Sequence, residues 1–287
     1  LAEMWTKDTA STWPAATAAM PDNAFLKLFA SSPCILGEGA VIERLRRDRA
    51  LELDPHLVNA AFIYSEGPRL AQEKVCRQYL DIGREYDLPL LISTPTWRAS
   101  RERIAMAGYE NVDVNGDNVR ALNELRASYG RYAEKVIVCG LLSCRGNAYE
   151  PDESLDVAEA RHFHSWQAER LARSEEVDVI LASTLPAINE ATGLALALAG
   201  AGKPYVISFV VRPEGTLLDG TPLHQAIAAI DSAVDPQPFA YMINCTHASF
   251  ARKALLHPTN SSQLARQRIV GLLANTFHEI WHVEVKV

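Results

Sequence analysis

Cysteine is scarce in this chain and does not pair off: Cys34, Cys76, Cys139, Cys144 and Cys245 are odd in number and widely spaced. That usage excludes a disulfide framework and suits reduced thiols in a cytoplasm. Long apolar runs are also missing. The longest, such as residues 191–201, fall short of the roughly 20 residues needed to cross a bilayer. The first residues show no basic segment leading into an apolar core, so neither a membrane span nor a secretion signal is expected. No block of Lys and Arg stands out, and 28 basic against 35 acidic side chains leave a net charge of −7, so a nucleic-acid partner is not expected. Low-complexity tracts and internal repeats are absent.

What is present is ample material for a core. Of 287 residues 48% are hydrophobic and 22% charged, which fits one large domain or two small ones. Short β-branched runs lie at 34–36, 88–92, 135–142, 177–181, 204–210, 239–243 and 268–273, and most are apolar on both faces, as in parallel strands covered on two sides. Between them lie amphipathic stretches. Ala71, Val75, Tyr79, Ile82 and Tyr86 stripe one helical face, and 188–199, 223–233 and 250–256 repeat the pattern. An eighth strand is expected at 283–287. A doubly wound sheet would need a Gly-rich phosphate loop after an early strand, and Gly37-Glu38-Gly39-Ala40 lacks the third glycine. The pattern therefore predicts an α/β fold, a (β/α)8 TIM barrel over residues 33–287 whose eighth strand is incomplete in the given chain, with residues 1–32 as an N-terminal extension packed outside it.

In such a barrel the chemistry lies at the strand C-terminal ends. There the sequence places Glu38 between two glycines, then Ser93-Thr94-Pro95-Thr96, Ser143-Cys144-Arg145, Ser183-Thr184 and Asn244-Cys245-Thr246-His247. Cys245, at a strand end before a helix, suits a ready thiolate, which could be a nucleophile or a zinc ligand; the alternative is a small buried hydrophobe. Cys34, Cys76 and Cys139 read as core filling. His278-Glu279-Ile280-Trp281-His282 matches the zinc-protease pattern, but it sits near the chain end with no third ligand, so a chance match is the better reading. His162 and His164 read as surface or packing residues.

These strand-end segments resemble the homocysteine S-methyltransferase family. Gly37-Glu38-Gly39-Ala40 resembles the family's D-G-[GA] element, and Thr94-Pro95-Thr96-Trp97-Arg98-Ala99-Ser100 its T-N-T-[YF]-x-A-S segment. Residues 140–149 resemble its G-S-[IL]-G-P-x-G-x-x-Y loop. Ile207-Ser208-Phe209, Asp219-Gly220-Thr221-Pro222-Leu223 and Ile243-Asn244-Cys245 follow in family order. The resemblance implies a zinc-dependent S-methyltransferase that moves a methyl group to a thiol such as homocysteine, forming methionine. The donor would be a small molecule or a separate corrinoid protein; the partners are otherwise small molecules, and an oligomer is open. By position, Cys245 would be the catalytic zinc ligand, with two further cysteines expected beyond Val287. Glu38, Gly39, Thr94, Thr96, Ser143 and Asn244 would bind substrate.

The chain departs from the family in three places. The late double-cysteine motif is not in the given sequence, Ser183 stands where a glutamate is usual, and Glu38 and Cys144 replace an aspartate and a loop proline. One extra methylene moves a carboxylate by about 1.5 Å. These departures keep three alternatives open: a family enzyme with a different acceptor, a relative that binds a small metabolite without turnover, or a paired site made by Cys144 and Cys245.

Overall fold

The computed structural model describes residues 23–275. The 1–22 part of the expected extension, the His278–His282 motif and the eighth strand at 283–287 lie outside the described residues. Helix α1 (Ala24–Ser31) opens the described chain, capped by the Asn23 side chain. Strand β1 (Leu36–Gly37) and α2 (Val41–Arg46) follow, then α3 (Glu66–Glu85), β2 (Leu90–Ser93), α4 (Arg101–Met106), α5 (Val114–Ala127) and β3 (Val136–Ser143). Next come α6 (Val157–Arg173), β4 (Val179–Leu185), α7 (Ile188–Ala201), β5 (Tyr205–Phe209), α8 (Leu223–Ala233), β6 (Ala240–His247), α9 (Ala248–Leu256), α10 (Leu264–Arg268) and β7 (Ile269–Asn275). The strand order is β1-β2-β3-β4-β5-β6-β7, the sequential winding of a (β/α)8 barrel.

The chain divides into two compact units. In the first, residues 23–142 and Trp166–Ile180, β1 pairs with β2 and β2 with β3, both parallel. Its core joins Cys76 and Leu80 of α3 to Leu90 and Ile92 of β2, Leu122 and Leu125 of α5, and Val136 and Val138 of β3. Asp178, next to β4, accepts from the Val138 amide at 2.8 Å and from Arg126 at 3.0 Å, while its carbonyl accepts from Asn23 at 2.8 Å. Through these bonds α1 is fastened to the base of a strand.

In the second unit, residues 143–165 and 181–275, β5 pairs with β6 and β6 with β7, again parallel. Phe209 and Tyr241 stack with ring centroids 5.8 Å apart. Tyr241 also donates to Asp231 at 2.8 Å, and Arg268 grips both oxygens of that carboxylate at 2.8 and 3.1 Å.

Three expectations shift. Strand β6 runs to His247, so Asn244 and Cys245 lie within it rather than after it, because the ladder to β7 continues to Asn275. The α3 stripe is rotated: Val75, Cys76, Leu80 and Gly83 face inward while Ile82 and Tyr86 are exposed, the close seat of Gly83 on Tyr132 and Leu90 setting the phase. Cys34 is exposed rather than core-filling, since it precedes β1; Cys76 and Cys139 are buried as expected.

Candidate active site

At the C-terminal end of β6 the ladder with β7 slips by one residue between Asn244 and Thr246. The unpaired residue is Cys245, with φ of 54°, a left-handed conformation uncommon for a residue with a side chain. The bulge leaves its thiol part-exposed while Asn244 and Thr246 on either side are buried. Asn275 of β7 secures the Cys245 carbonyl at 3.2 Å.

Asn244 organises what surrounds the thiol. Its Oδ1 accepts from the Thr184 amide at 3.0 Å and from Ser208 Oγ at 2.6 Å. Its Nδ2 donates to Thr184 Oγ1 at 2.8 Å and to Cys245 Sγ at 3.1 Å. The carboxamide has two acceptor sites and two donor hydrogens, and all four are used. Because a backbone amide can only donate, the Thr184 N–H fixes which end is Oδ1, so Nδ2 must face the sulfur. Thr184 is itself left-handed, with φ of 59°. Thr184 Oγ1 continues to Ser183 Oγ at 3.3 Å, and Ser143 Oγ donates to the Ser183 carbonyl at 2.9 Å. The predicted residues Ser143, Asn244 and Cys245 thus belong to one hydrogen-bonded set, which also takes in Ser183 and Thr184 at the end of β4 and Ser208 of β5.

In the other unit, Glu38 follows β1. Its Oε1 accepts from the Ser93 amide at 2.9 Å, while Oε2 is buried with no partner. Although the residue as a whole is part-exposed, burial of the carboxyl pushes its pKa up to about 7, against a lesser opposing effect of the Ser93 hydrogen bonds. Gly39 beside it lies against Tyr79, whose Oη would be 2.6 Å from an added Cβ. Thr94 and Thr96 share a 2.7 Å hydrogen bond, Thr96 Oγ1 donates to the Leu141 carbonyl and Thr94 Oγ1 accepts from the Leu141 amide. Both are fully buried, so their hydroxyls shape the turn after β2 and bind it to β3. Gln167 Nε2 adds a 2.7 Å bond to the Thr96 carbonyl and a 3.1 Å bond to Asn115.

Sequence reasoning missed Glu190. It lies in the first turn of α7, is fully buried, and accepts from the Arg145 amide at 2.7 Å and from His164 Nε2 at 3.0 Å. His164 is buried with it and packs edge-on to Phe163, while His162 is exposed. An acidic residue in an otherwise apolar helix was the signal that could have found it.

Cys144 is buried, its thiol directed to the Gly146 carbonyl at 3.6 Å. Among the described residues no group of three or more His, Cys, Asp or Glu is arranged to hold a metal ion. Cys245 has the chemistry of one zinc ligand, a part-exposed sulfur facing an N–H donor, but the described residues do not complete a tetrahedral set. No described helix is long and apolar enough to cross a membrane.

No curated protein matches the chain. The solved structure of the homocysteine methyltransferase MmuM from Escherichia coli, in its metallated form, superposes with a TM-score of 0.69 at 24% identity, covering 88% of this chain and 96% of that one. At that identity the likeness speaks for the fold. The sequence profile of homocysteine S-methyltransferases matches residues 35–285, a span that takes in every strand-end residue described above. A methyltransferase on a (β/α)8 barrel, the chain belongs to the homocysteine S-methyltransferase family.

Proposed function

We propose that this enzyme transfers a methyl group to the sulfur of a small thiol, homocysteine being the first acceptor to test. The observation that carries the reading is the Cys245 thiol, lifted out of the β6 ladder by a bulge and faced by an Asn244 N–H. In the reaction the donor–methyl bond breaks, a sulfur–methyl bond forms, and the acceptor's thiol proton passes to solvent. Cys245 is proposed as a ligand of zinc, with two further cysteines expected beyond Val287 as the other thiolate ligands. Zinc, when bound, supplies a Lewis acid that keeps an acceptor thiol ionised near neutral pH. The remaining steps belong to the chain. Asn244 orients the Cys245 sulfur, and Thr184 and Ser208 hold Asn244 in the one orientation that can do so.

In the other unit, Glu38 is proposed as a substrate-binding residue, its unpartnered Oε2 supplying the contact, with Gly39 beside it leaving room for Tyr79. Thr94 and Thr96 in that unit, and Ser143 in the unit of Cys245, are proposed to bind substrate by packing, because their hydroxyls are already committed. A second reading, a relative that binds a metabolite without turnover, is favoured by Ser183, which is neutral where the family usually has a carboxylate. Both a small methyl donor and a methylated corrinoid protein are candidate partners, in a cytoplasmic setting.

Metal content of the purified protein, alongside its intact mass, tests the zinc assignment. About one zinc per chain, lost in Cys245→Ala, is the expected result. Zinc retained by that variant would remove Cys245 as a ligand. Methylation of homocysteine by S-methylmethionine, betaine or a methylcorrinoid protein then identifies the donor, and ligand binding with no methylated product from any of them would favour the second reading.

A further inference from the structure

Glu190 is completely buried, yet methyl transfer as proposed above gives it no task. Both of its donors, the Arg145 amide and His164 Nε2, converge on Oε1, and Oε2 has none. Burying a carboxylate is costly unless it is well hydrogen-bonded, and an apolar side chain would fill the space without that cost. The arrangement therefore asks what the single occupied oxygen accomplishes.

Its location answers. Strand β3 ends at Ser143, so the Arg145 amide lies beyond the ladder and takes a side chain as its acceptor. Glu190 provides it, at the point where the chain leaves β3 for the loop that leads to α6. The second donor, His164, sits on α6 itself, after that loop has ended. One oxygen thus joins the start of the loop to the helix that follows it. The close approach this needs is visible at Gly193, one turn after Glu190 on α7, where an added Cβ would come within 2.6 Å of Ala160 Cβ and 2.9 Å of the Arg161 amide on α6.

We propose that Glu190 is a positioning residue for the loop after β3, setting through the Arg145 amide where Ser143 and Cys144 stand. The consequence for catalysis rests on the reading that this loop borders the thiol acceptor. Glu190 touches neither substrate nor reacting atoms; it acts through the backbone.

Hydrogen exchange followed by mass spectrometry on peptides covering 144–151 of the full chain tests the clip, with the KM and kcat for homocysteine as a second readout. In Glu190→Ala, exchange in these peptides is expected to speed by about tenfold or more while the β5 peptide is unchanged. KM should rise by about tenfold, with kcat moving less. Glu190→Gln keeps a carbonyl that can accept from both donors and should stay within about twofold of the parent on every readout. If Glu190→Ala does not fold, Glu190→Met, closer in volume, carries the same expectation. Unchanged protection in a folded Ala or Met variant would overturn the proposal, as would a Gln variant that fails as badly as Ala. Should the parent methylate no thiol at all, the function proposed above falls and the exchange result alone decides the role of Glu190.

Discussion

Thr184 and Asn244 exchange a reciprocal pair of hydrogen bonds: the Thr184 amide donates to Asn244 Oδ1, and Asn244 Nδ2 returns one to Thr184 Oγ1. The pair joins the end of β4 to the end of β6 and leaves one Nδ2 hydrogen for the Cys245 sulfur.

Replacing Asn244 by Ala should therefore cost more than one bond. It strands the part-buried Thr184 amide and the buried Ser208 hydroxyl, a loss of about 2–4 kcal/mol, readable as a lower denaturation midpoint. Asn244→Asp offers acceptors to Thr184 and Ser208 but no donor to the sulfur. Alkylation of Cys245 by iodoacetamide should slow by about fivefold in that variant, and an unchanged rate would show that the N–H does not favour the thiolate.

Glu38 should write a pH dependence into stability. Its carboxyl titrates near 7 in the folded chain, against 4.5 as the ordinary value. Between those limits the folded protein holds a proton that the unfolded chain releases, so stability is fullest below about pH 4.5 and falls as pH rises through about 7. Glu38→Gln removes this slope. Relative to the parent, its Tm should gain about 2–4 °C between pH 5 and pH 8, and parallel curves would refute the assignment.

Arg268 and Asp231 form a bidentate ion pair that is almost entirely buried, with Tyr241 sharing the carboxylate. Arg268→Ala leaves that charge without its partner and should destabilise the protein by about 3–5 kcal/mol. Lys cannot present two parallel donors and should recover only part of the loss. Chemical denaturation of the two variants checks both statements.

Gly193→Ala drives a methyl group into the backbone and side chains of α6. A cost of about 1–3 kcal/mol is expected. The same variant should also loosen the Arg145 amide, since pushing α6 and α7 apart stretches the His164–Glu190 contact, and exchange of the 144–151 peptides reads this directly.

The barrel was legible in the sequence because the apolar runs of β3, β4 and β5 are buried along nearly their whole length and carry no competing period. Strand β1 was harder to bound, because only Leu36 and Gly37 join the ladder. The candidate site residues Glu38, Ser143, Asn244 and Cys245 were picked out from strand-end position. Their pairings were not. Thr184 and Ser208 meet Asn244 only after folding, from 60 and 36 residues away, and no local pattern encodes that meeting. Glu190 and His164 were hidden for a different reason. Each is a polar residue on a helix, which in isolation reads as a solvated face, and only the close crossing at Gly193 brings them together in the interior.

The bulge at Cys245 has a counterpart. Tyr241 pairs with Ile269 but Met242 with Gly271, so β7 carries one surplus residue, Val270, before β6 carries its own at Cys245. From Tyr241 to Thr246 and from Ile269 to Ala274 both strands advance by the same five residues, and the two slips cancel. The part-exposed thiol is therefore obtained without leaving the end of the sheet out of phase. A chain that lost either surplus residue alone would misalign Thr246 and His247 with Ala274 and Asn275, so the cysteine's setting is heritable only as a matched pair of insertions.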